Sequence, residues 1–193
     1  MKTLKELNVS ITSGTIITRL VADSLKGETA ADFGRKTIVS KTVEEGYIDD
    51  ESLLINDYKV EPDEKKLTKE GDIIIKLAAP YRATLIDKEH EGLLVSSFCS
   101  IIRDVNTIDK KYLVAYLNSD ICVKQLEMRA VGTTIAMLSN GKLYDLPVPV
   151  PSADVQKSIG EYFEKTIKNR LLLKKIIEVE NEKLARLIAD IEE

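Results

Sequence analysis

The feature that most constrains this chain is its C-terminal stretch. Residues 153–192 contain no proline and a single glycine, Gly160, and they therefore predict one long helix. Three alternating prolines that end at Pro151 hold the preceding residues extended, and Ser152 follows as a candidate N-cap. A helix of about 40 residues spans about 60 Å, which exceeds the diameter of a body of about 150 residues. The helix therefore cannot bury its whole length on its own domain.

Apolar residues repeat along this helix at alternating spacings of four and three. Nine positions of the repeat run from residue 163 to residue 191, and six of them are apolar. Such a stripe predicts pairing with a second helix, and a polar residue within it would fix the register. The alternative is a helix that folds back or breaks near Gly160 and packs within its own chain. The residues predicted to face a partner helix are Phe163, Ile167, Ile177, Asn181, Leu184, Ile188 and Ile191.

The preceding residues have a different texture and predict a domain of their own. Short apolar runs alternate there with turn residues. Asp72–Ala78 and Leu93–Ile102 predict buried strands, and Thr84–Ile86 predicts a short strand between them.

Helical patterns begin at Asp109, and Asn118-Ser119-Asp120 separates a first helix from a second over residues 121–129. Asn140-Gly141 predicts a tight turn. The chain is thus predicted to be an α+β protein with two parts. A mixed, β-rich domain (residues 1–151) carries a small helical hairpin, and one long C-terminal helix (residues 152–193) forms a coiled coil.

Composition limits the classes of function. Apolar residues make up 44% and charged residues 31%, which is typical of a globular protein, and no apolar run is long enough to span a membrane. Two cysteines among apolar neighbours fit a reducing cytoplasm. The net charge is −4, but residues 44–64 hold nine acids against one base, which leaves 19 bases against 14 acids in the rest of the body. A basic face is compatible with these numbers, and so are charges scattered over a solvated surface.

The sequence offers little for catalysis. His90, the only histidine, lies in a charged turn and is expected to be exposed. Cys99 and Cys122 lack the paired spacing of a zinc site and are expected to pack as small apolar residues. No phosphate-binding glycine loop occurs, and the acids of residues 62–66 are contiguous, unlike those of nuclease sites. We therefore predict no catalytic residue, no metal site and no cofactor, and an enzyme such as a nuclease is the least favoured interpretation.

Several short motifs together resemble a known family. Glu70–Ile75 is similar to a Gly-Asp-Ile-Leu entry to a central strand, and Gly132-Thr133-Thr134 is similar to a Gly-Ser/Thr-Thr loop. Leu143–Pro151, continued by Gln156-Lys157-Ser158-Ile159, resembles a proline-rich strand that precedes a Gln-x-x-Ile helix. Ser13-Gly14 resembles an opening Ser/Gly turn. In this order and spacing, the motifs resemble the specificity subunits of type I restriction-modification systems.

The resemblance implies a non-catalytic target-recognition domain that reads one half of a split site on double-stranded DNA. It implies a methyltransferase subunit as the partner that docks on the helix, with the restriction subunit as a further partner. A complete specificity subunit carries two recognition domains and two helices, whereas one of each is found here. We therefore expect a half-subunit that pairs antiparallel with a second copy, so that the homodimer reads an interrupted palindrome. A truncated or silent fragment is the alternative.

Candidate DNA contacts are bases and small polar groups, because such groups bind phosphates and base edges. Tyr81 and Arg82 are favoured because both follow Pro80 in a turn. Each base has ordinary surface charge as its alternative explanation. A protein-binding adaptor is the competing function, and the acidic segment 44–64 favours it because acids repel phosphate. The predicted DNA-binding residues are Arg19, Lys26, Arg35, Lys36, Lys41, Lys76, Tyr81, Arg82, Thr133, Thr134 and Lys142.

Overall fold

The computed structural model describes residues 1–21, 35–130 and 137–189. Four of the predicted site residues, Lys26, Thr133, Thr134 and Ile191, lie outside these ranges. The helices are α1 (Lys110–Leu117), α2 (Asp120–Ala130), α3 (Asn140–Tyr144) and α4 (Ala153–Ala189). The strands are β1 (Lys2–Thr3), β2 (Ser10–Ser13), β3 (Arg35–Ile38), β4 (Leu54–Asn56), β5 (Ile73–Lys76), β6 (Ala83–Leu85), β7 (Leu94–Val95), β8 (Cys99–Arg103) and β9 (Pro147–Val148).

A four-stranded antiparallel sheet in the order β2-β8-β5-β6 forms the centre of the body. Ile74 of β5 is opposite Ile101 of β8 and Thr84 of β6. Ile73 and Ile75 face the larger apolar core, and Ile74 faces the smaller one. Successive side chains of a strand point to opposite faces, so a strand covered on both faces is apolar throughout. The strands predicted over Asp72–Ala78 and Thr84–Ile86 are confirmed.

A second, three-stranded sheet has the order β4-β3-β7, and β3 runs parallel to β7. The single strand predicted over Leu93–Ile102 is wrong, because this stretch forms β7 in one sheet and β8 in the other. The chain changes partners at Ser96, whose N–H donates to the Ile38 carbonyl at 2.9 Å, and the Ser97 N–H donates to Thr15. The sequence stays largely apolar where the chain passes from one sheet to the other, because both β7 and β8 are buried.

The predicted helical hairpin is confirmed as α1 and α2. The Asp109 carboxylate caps α1 by accepting the Tyr112 N–H at 2.8 Å. The Asn118 side chain between the helices accepts the Ala83 N–H at 3.0 Å and donates to the Ala83 carbonyl at 2.8 Å, which ties the hairpin to β6. The tight turn predicted at Asn140-Gly141 is wrong, because the Ser139 hydroxyl caps a short helix there, α3.

The larger core lies between the four-stranded sheet and α1–α3, and the smaller one lies between the two sheets. The predicted α+β class, with one long helix at the C-terminal side, is confirmed. No helix within the described ranges is long and apolar enough to cross a membrane.

Candidate DNA interface and partner surface

One end of the four-stranded sheet gathers several connecting segments. Gly14, just after β2, donates its N–H to the Cys99 carbonyl at 3.0 Å, and Leu77, just after β5, donates to the Phe98 carbonyl at 2.9 Å. Leu138 donates to the Leu77 carbonyl at 2.7 Å, which brings the described flank of the Gly-Thr-Thr motif to the same end. We call this end, formed by residues 13–19, 77–82, 96–98 and 137–142, the loop end.

The Ser13-Gly14 motif has a structural explanation at the loop end. A Cβ atom on Gly14 would overlap the carbonyl oxygens of Val95 and Ser96, so a larger residue would push β2 away from the β7–β8 turn. The Ser13 carbonyl accepts a hydrogen bond from Lys66 Nζ at 2.7 Å. This contact brings a base to the loop end, and the sequence alone did not single out Lys66.

Two further groups at the loop end escaped the sequence analysis. Asn140 Nδ2 donates to Ser13 Oγ at 3.0 Å, and its Oδ1 accepts from Ser100 Oγ at 2.7 Å. Phe98 is 51% exposed in the β7–β8 turn, although it lies within a run that predicted a buried strand. Amide and hydroxyl groups are the group types that read base edges, and apolar rings are a group type that contacts thymine methyl groups. The sequence signal that could have indicated the exposure of Phe98 was a single phenylalanine next to the polar residue Ser97.

The structure leaves three of the predicted bases, Arg19, Lys36 and Lys41, exposed to solvent. Arg19 ends a 3-10 turn that follows Gly14, and Lys41 lies in a 3-10 turn that follows β3. An exposed base is accessible to phosphate, so these three positions stay candidates.

Two other predicted bases are held by groups of the protein. Arg35 Nη2 lies 3.6 Å from Glu61 Oε1, and Lys142 Nζ donates to the Arg129 carbonyl. The Arg35 pair is solvent-accessible, so its contribution is small and its partner exchangeable. Lys142 starts from the loop end, but the Arg129 contact directs its ammonium toward α2.

Lys76 and Tyr81 require correction as direct DNA contacts. Lys76 is buried at the end of β5, and its Nζ lies 3.7 Å from Glu44 Oε1. Tyr81 is 1% exposed and belongs to the larger core, and burial raises the pKa of its hydroxyl. The turn after Pro80 places its ring inward, so both residues support the fold. The sequence could not show this, because a tyrosine in a turn packs inward or outward according to its tertiary neighbours.

Arg82, the other favoured residue, is half-buried and lies beside α4. Its Nη1 donates to the Tyr81 carbonyl at 3.0 Å. It lines a cleft with Arg170 and Lys174 of α4 and with Glu44 and Glu45. Bases and acids are mixed in this cleft, so Arg82 is not part of an isolated basic patch.

The Gly-Asp-Ile motif has a structural role. Asp72 is buried and accepts from Arg103 Nε at 2.8 Å and from Arg103 Nη2 at 2.6 Å. The Lys69 N–H also donates to Asp72, at 2.7 Å. The hydrogen bonds to the Asp72 carboxylate raise the pKa of the Arg103 guanidinium, and together with the Lys69 contact they fix the turn that enters β5.

The Gln-x-x-Ile motif anchors the start of α4. Buried Gln156 accepts the Asp109 N–H at 2.9 Å and donates to the Pro151 carbonyl at 2.8 Å. One turn later, α4 approaches α1 so closely that a Cβ on Gly160 would lie 2.8 Å from the Tyr112 nitrogen. These contacts give α4 a fixed direction as it leaves the body.

α4 is one continuous helix whose two halves have different surroundings. In the first half, Phe163 packs against the core and Ile167 is buried near Gly46, while Glu164 accepts from Lys111 at 2.6 Å. Further along this half, Arg170 forms an ion pair with Glu45 of the body at 2.8 Å. The helix does not break at Gly160. Its first half nevertheless packs on its own body, so the alternative of packing within the chain applies to this half.

The second half, residues 172–189, is exposed at every position. Of the residues predicted to face a partner helix, Ile177, Asn181, Leu184 and Ile188 are exposed here, whereas Phe163 and Ile167 contact their own body. Most of the exposed apolar side chains lie on one side of α4, which also extends along its first half, whereas exposed Leu172 and Val179 lie on another side. We call this side the outer face; its apolar residues are Val155, Ile159, Tyr162, Leu173, Ile176, Ile177, Leu184, Leu187 and Ile188.

The groups considered for catalysis are held in structural contacts. Burial raises the pKa of the Cys99 thiol and of the Cys122 thiol to about 12, so both stay protonated and unreactive at neutral pH. His90 is half-buried rather than exposed, with Nδ1 2.6 Å from Asp87 and Nε2 3.3 Å from Asp50. No group of three His, Cys, Asp or Glu side chains within the described ranges is placed to bind a metal.

The comparison with curated proteins returns no match. Among solved structures, the chain resembles one from a study of complex assembly and conformational transition of the type I R-M system, with TM-score 0.60, 15% identity, and 96% of this chain and 42% of that chain covered. It also resembles the HsdS subunit from Thermoanaerobacter tengcongensis, with TM-score 0.56, 15% identity, and 90% and 38% covered. The chain therefore shares this fold and spans about two fifths of the length of each structure.

An identity of 15% to these structures shows the fold alone, and the family is assigned from a match to a family model. The model described as "Type I restriction modification DNA specificity domain" matches residues 35–181, which make up most of the chain. The match includes the buried Asp72 turn, the prolines before α4 and most of α4 itself. The chain therefore belongs to the family of type I restriction-modification DNA specificity domains.

Proposed function

We propose that this chain is a non-catalytic specificity subunit that recognises double-stranded DNA as a dimer of half-subunits. Membership of the specificity-domain family supports DNA recognition. The observation that carries the proposal beyond the family is the uncovered outer face of α4, whose apolar side chains in residues 173–188 are 53–64% exposed. Proteins that stay monomeric rarely expose apolar patches of this length, so the face predicts a partner helix.

The loop end is the proposed DNA-reading surface. It combines exposed Arg19 and Phe98 with the Asn140 amide, and exposed Lys41 lies in the 3-10 turn that follows β3. Bases neutralise phosphates, and amide and hydroxyl groups discriminate base edges. The acidic residues Asp49, Asp50 and Glu51 line a groove beside α4, together with Lys174 and Lys175, which favours a location away from the DNA.

The proposed dimer determines the symmetry of the DNA sequence that it recognises. Two copies related by a two-fold axis would present two identical reading domains, and the target would be an interrupted palindrome. We propose that a methyltransferase subunit docks on the paired helices, with the restriction subunit as a further partner, and that the complex acts in the cytoplasm. The specificity subunit would contribute recognition and its partners the chemistry.

The test uses the full-length chain, alone and mixed with its methyltransferase subunit, to select duplexes from a random DNA library. The expected product is a split palindrome bound with a salt dependence of about −0.9 per phosphate contact in a log–log plot. Arg82→Ala should cost about 1–3 kcal/mol at one base position if Arg82 makes a bidentate base contact, and about equally for all sequences if it binds phosphate. Lys165→Ala, on the exposed side of α4, is the matched control.

The same experiment addresses the adaptor alternative. An adaptor would select no sequence and would show no steep salt dependence, either alone or with the methyltransferase. A selected site that lacks two-fold symmetry would retain DNA recognition and remove the homodimer from the proposal.

A further inference from the structure

The loop end differs from the rest of the chain in its charge. Its four described segments contain no Asp and no Glu, although the chain as a whole has 32 such acids among 193 residues. The segments contain three bases, Arg19, Arg82 and Lys142, and Lys66 adds its ammonium at the Ser13 carbonyl. Bases attract phosphate, and acids placed among them would repel it. The charge of the loop end therefore favours DNA as its partner.

Two large apolar side chains are exposed at this acid-free end. Phe98 is 51% exposed and Ile16 is 42% exposed. Leu77, Tyr81 and Leu138 belong to the same segments and are buried. Apolar area is therefore available at the loop end beside the charges that bind phosphate.

A backbone hydrogen bond holds the two exposed side chains near each other. The Ser97 N–H donates to the Thr15 carbonyl at 2.7 Å, and Phe98 and Ile16 are the next residues of the two segments. Standard backbone dimensions then place the Cα atoms of Phe98 and Ile16 within about 10 Å of each other. Successive base pairs are about 3.4 Å apart along a duplex, so the two side chains fall within about three base pairs.

The turn that carries Phe98 is held on both sides. The Cys99 N–H donates to the Ser96 carbonyl at 2.9 Å, and the Phe98 carbonyl accepts from Leu77 at 2.9 Å. The protein also covers about half of the Phe98 side chain, so the ring cannot insert along its full length between two base pairs. Phe98 thus presents a fixed apolar surface, which suits contact with the edge of a base better than insertion as a wedge.

The apolar group on the edges of the bases is the C5-methyl group of thymine, which lies in the major groove. We propose that Phe98, with Ile16 beside it, is the specificity-determining contact for the C5-methyl group of a thymine in the half-site. This inference rests on the DNA recognition of the proposed function. It adds the base that is read and the groove that the loop end enters.

Replacement of thymine by deoxyuridine tests the contact, because it removes the methyl group and keeps every hydrogen-bonding group of the base. The full-length chain with its methyltransferase subunit is titrated with the selected duplex and with duplexes that carry uracil at one thymine position each. Wild type should lose about fourfold in affinity at one or two positions, which corresponds to one buried methyl group. Phe98→Ala should bind the thymine and uracil duplexes equally at those positions, and Phe98→Leu should retain part of the preference.

Val150→Ala is the matched control, because Val150 is a 37% exposed apolar residue outside the loop end. It should keep the wild-type preference for thymine, and circular dichroism should show that all the variants fold. A methyl preference that persists undiminished in Phe98→Ala overturns the inference, since another group then reads the methyl. Equal loss of affinity for thymine and uracil duplexes, with the preference unchanged, also overturns it.

A selected half-site in which every thymine tolerates uracil, or which contains no thymine, overturns the contact and leaves the DNA recognition of the proposed function in place. Failure to select any DNA sequence, either alone or with the methyltransferase, contradicts both.

Discussion

The two halves of α4 have similar apolar side chains but different surroundings. In residues 153–171, Gln156, Gly160 and Ile167 are buried against the body. In residues 172–189, Leu173, Ile177 and Leu184 are each more than half exposed. A helix of 37 residues is longer than the body beneath it, so only its first half can be covered by its own chain. The difference ties the first half to the fold of the body and, in the proposed dimer, leaves the second half for association.

The first half should respond to mutation as part of a core. Ile167→Ala removes a buried side chain that packs near Gly46, and it should lower the free energy of unfolding by about 2–4 kcal/mol. The measurement is urea unfolding in a Leu184→Glu background, in which dimer dissociation does not contribute. Leu173→Ala in the same background is the matched control, because Leu173 is 59% exposed and leaves no cavity. Equal losses for the two variants would remove the distinction between the halves.

The second half should affect association without affecting the fold. Leu184→Glu places a charge on the outer face, and it should weaken the dimer by about a hundredfold, since a buried leucine contributes about 1.5–3 kcal/mol. Sedimentation equilibrium gives the dissociation constant, and circular dichroism should show an unchanged monomer. Ala185→Glu adds the same charge one residue later, on another side of α4, and should change the constant little. A similar loss for both variants would mean that the outer face is not the contact.

Local patterns predicted some parts of this molecule well. The run Ile73–Ile75 after Gly71 predicted β5, because a strand covered on both faces is apolar without interruption. The break at Asn118 predicted the hairpin, because the cap chemistry lies in the same few residues. Both signals are local, and the surrounding structure does not override them.

Other parts depend on contacts between distant residues. The division of Leu93–Ile102 into β7 and β8 is fixed by hydrogen bonds from Ser96 and Ser97 to Ile38 and Thr15, which no local pattern reports. Tyr81 packs inward for the same reason, and it was predicted as a DNA contact.

The helix stripe illustrates a different limit. A four-and-three repeat has a period of 3.5 residues, whereas an α-helix has 3.6, so the stripe drifts by about 20° per heptad. It therefore starts on the body side at Phe163 and reaches the outer face by Leu184. The stripe predicted that α4 has a partner, and only the structure shows that the partner of its first half is its own body.

The smallest expected effect is a pH-dependent change in thermal stability, which should occur for a variant in the first half of α4 and not for one in the second half. Hydrogen bonds from Lys111 and Lys168 hold the pKa of Glu164 below its usual value. A lowered pKa in the folded state stabilises the protein above the unfolded-state pKa of about 4.3, and that stability is lost as the pH falls through the lowered value. Glu164→Gln should therefore lower Tm slightly at pH 7, by the equivalent of about 0.3 kcal/mol because water screens the pair, and the difference from wild type should vanish in acid.

Glu182→Gln is the matched control for Glu164→Gln in the second half. Among the described residues, Glu182 pairs only with Arg186 of its own helix, at 3.9 Å and with both side chains largely exposed, so its replacement should leave Tm unchanged at either pH. Thermal scans of both variants and wild type at pH 7 and pH 3, at one protein concentration, provide the measurement. A Tm difference for Glu164→Gln that persists undiminished at pH 3 would mean that the negative charge of Glu164 is not the source of the difference. The attachment of the first half of α4 would then depend on its other contacts with the body, among them those of Gln156, Phe163 and Ile167.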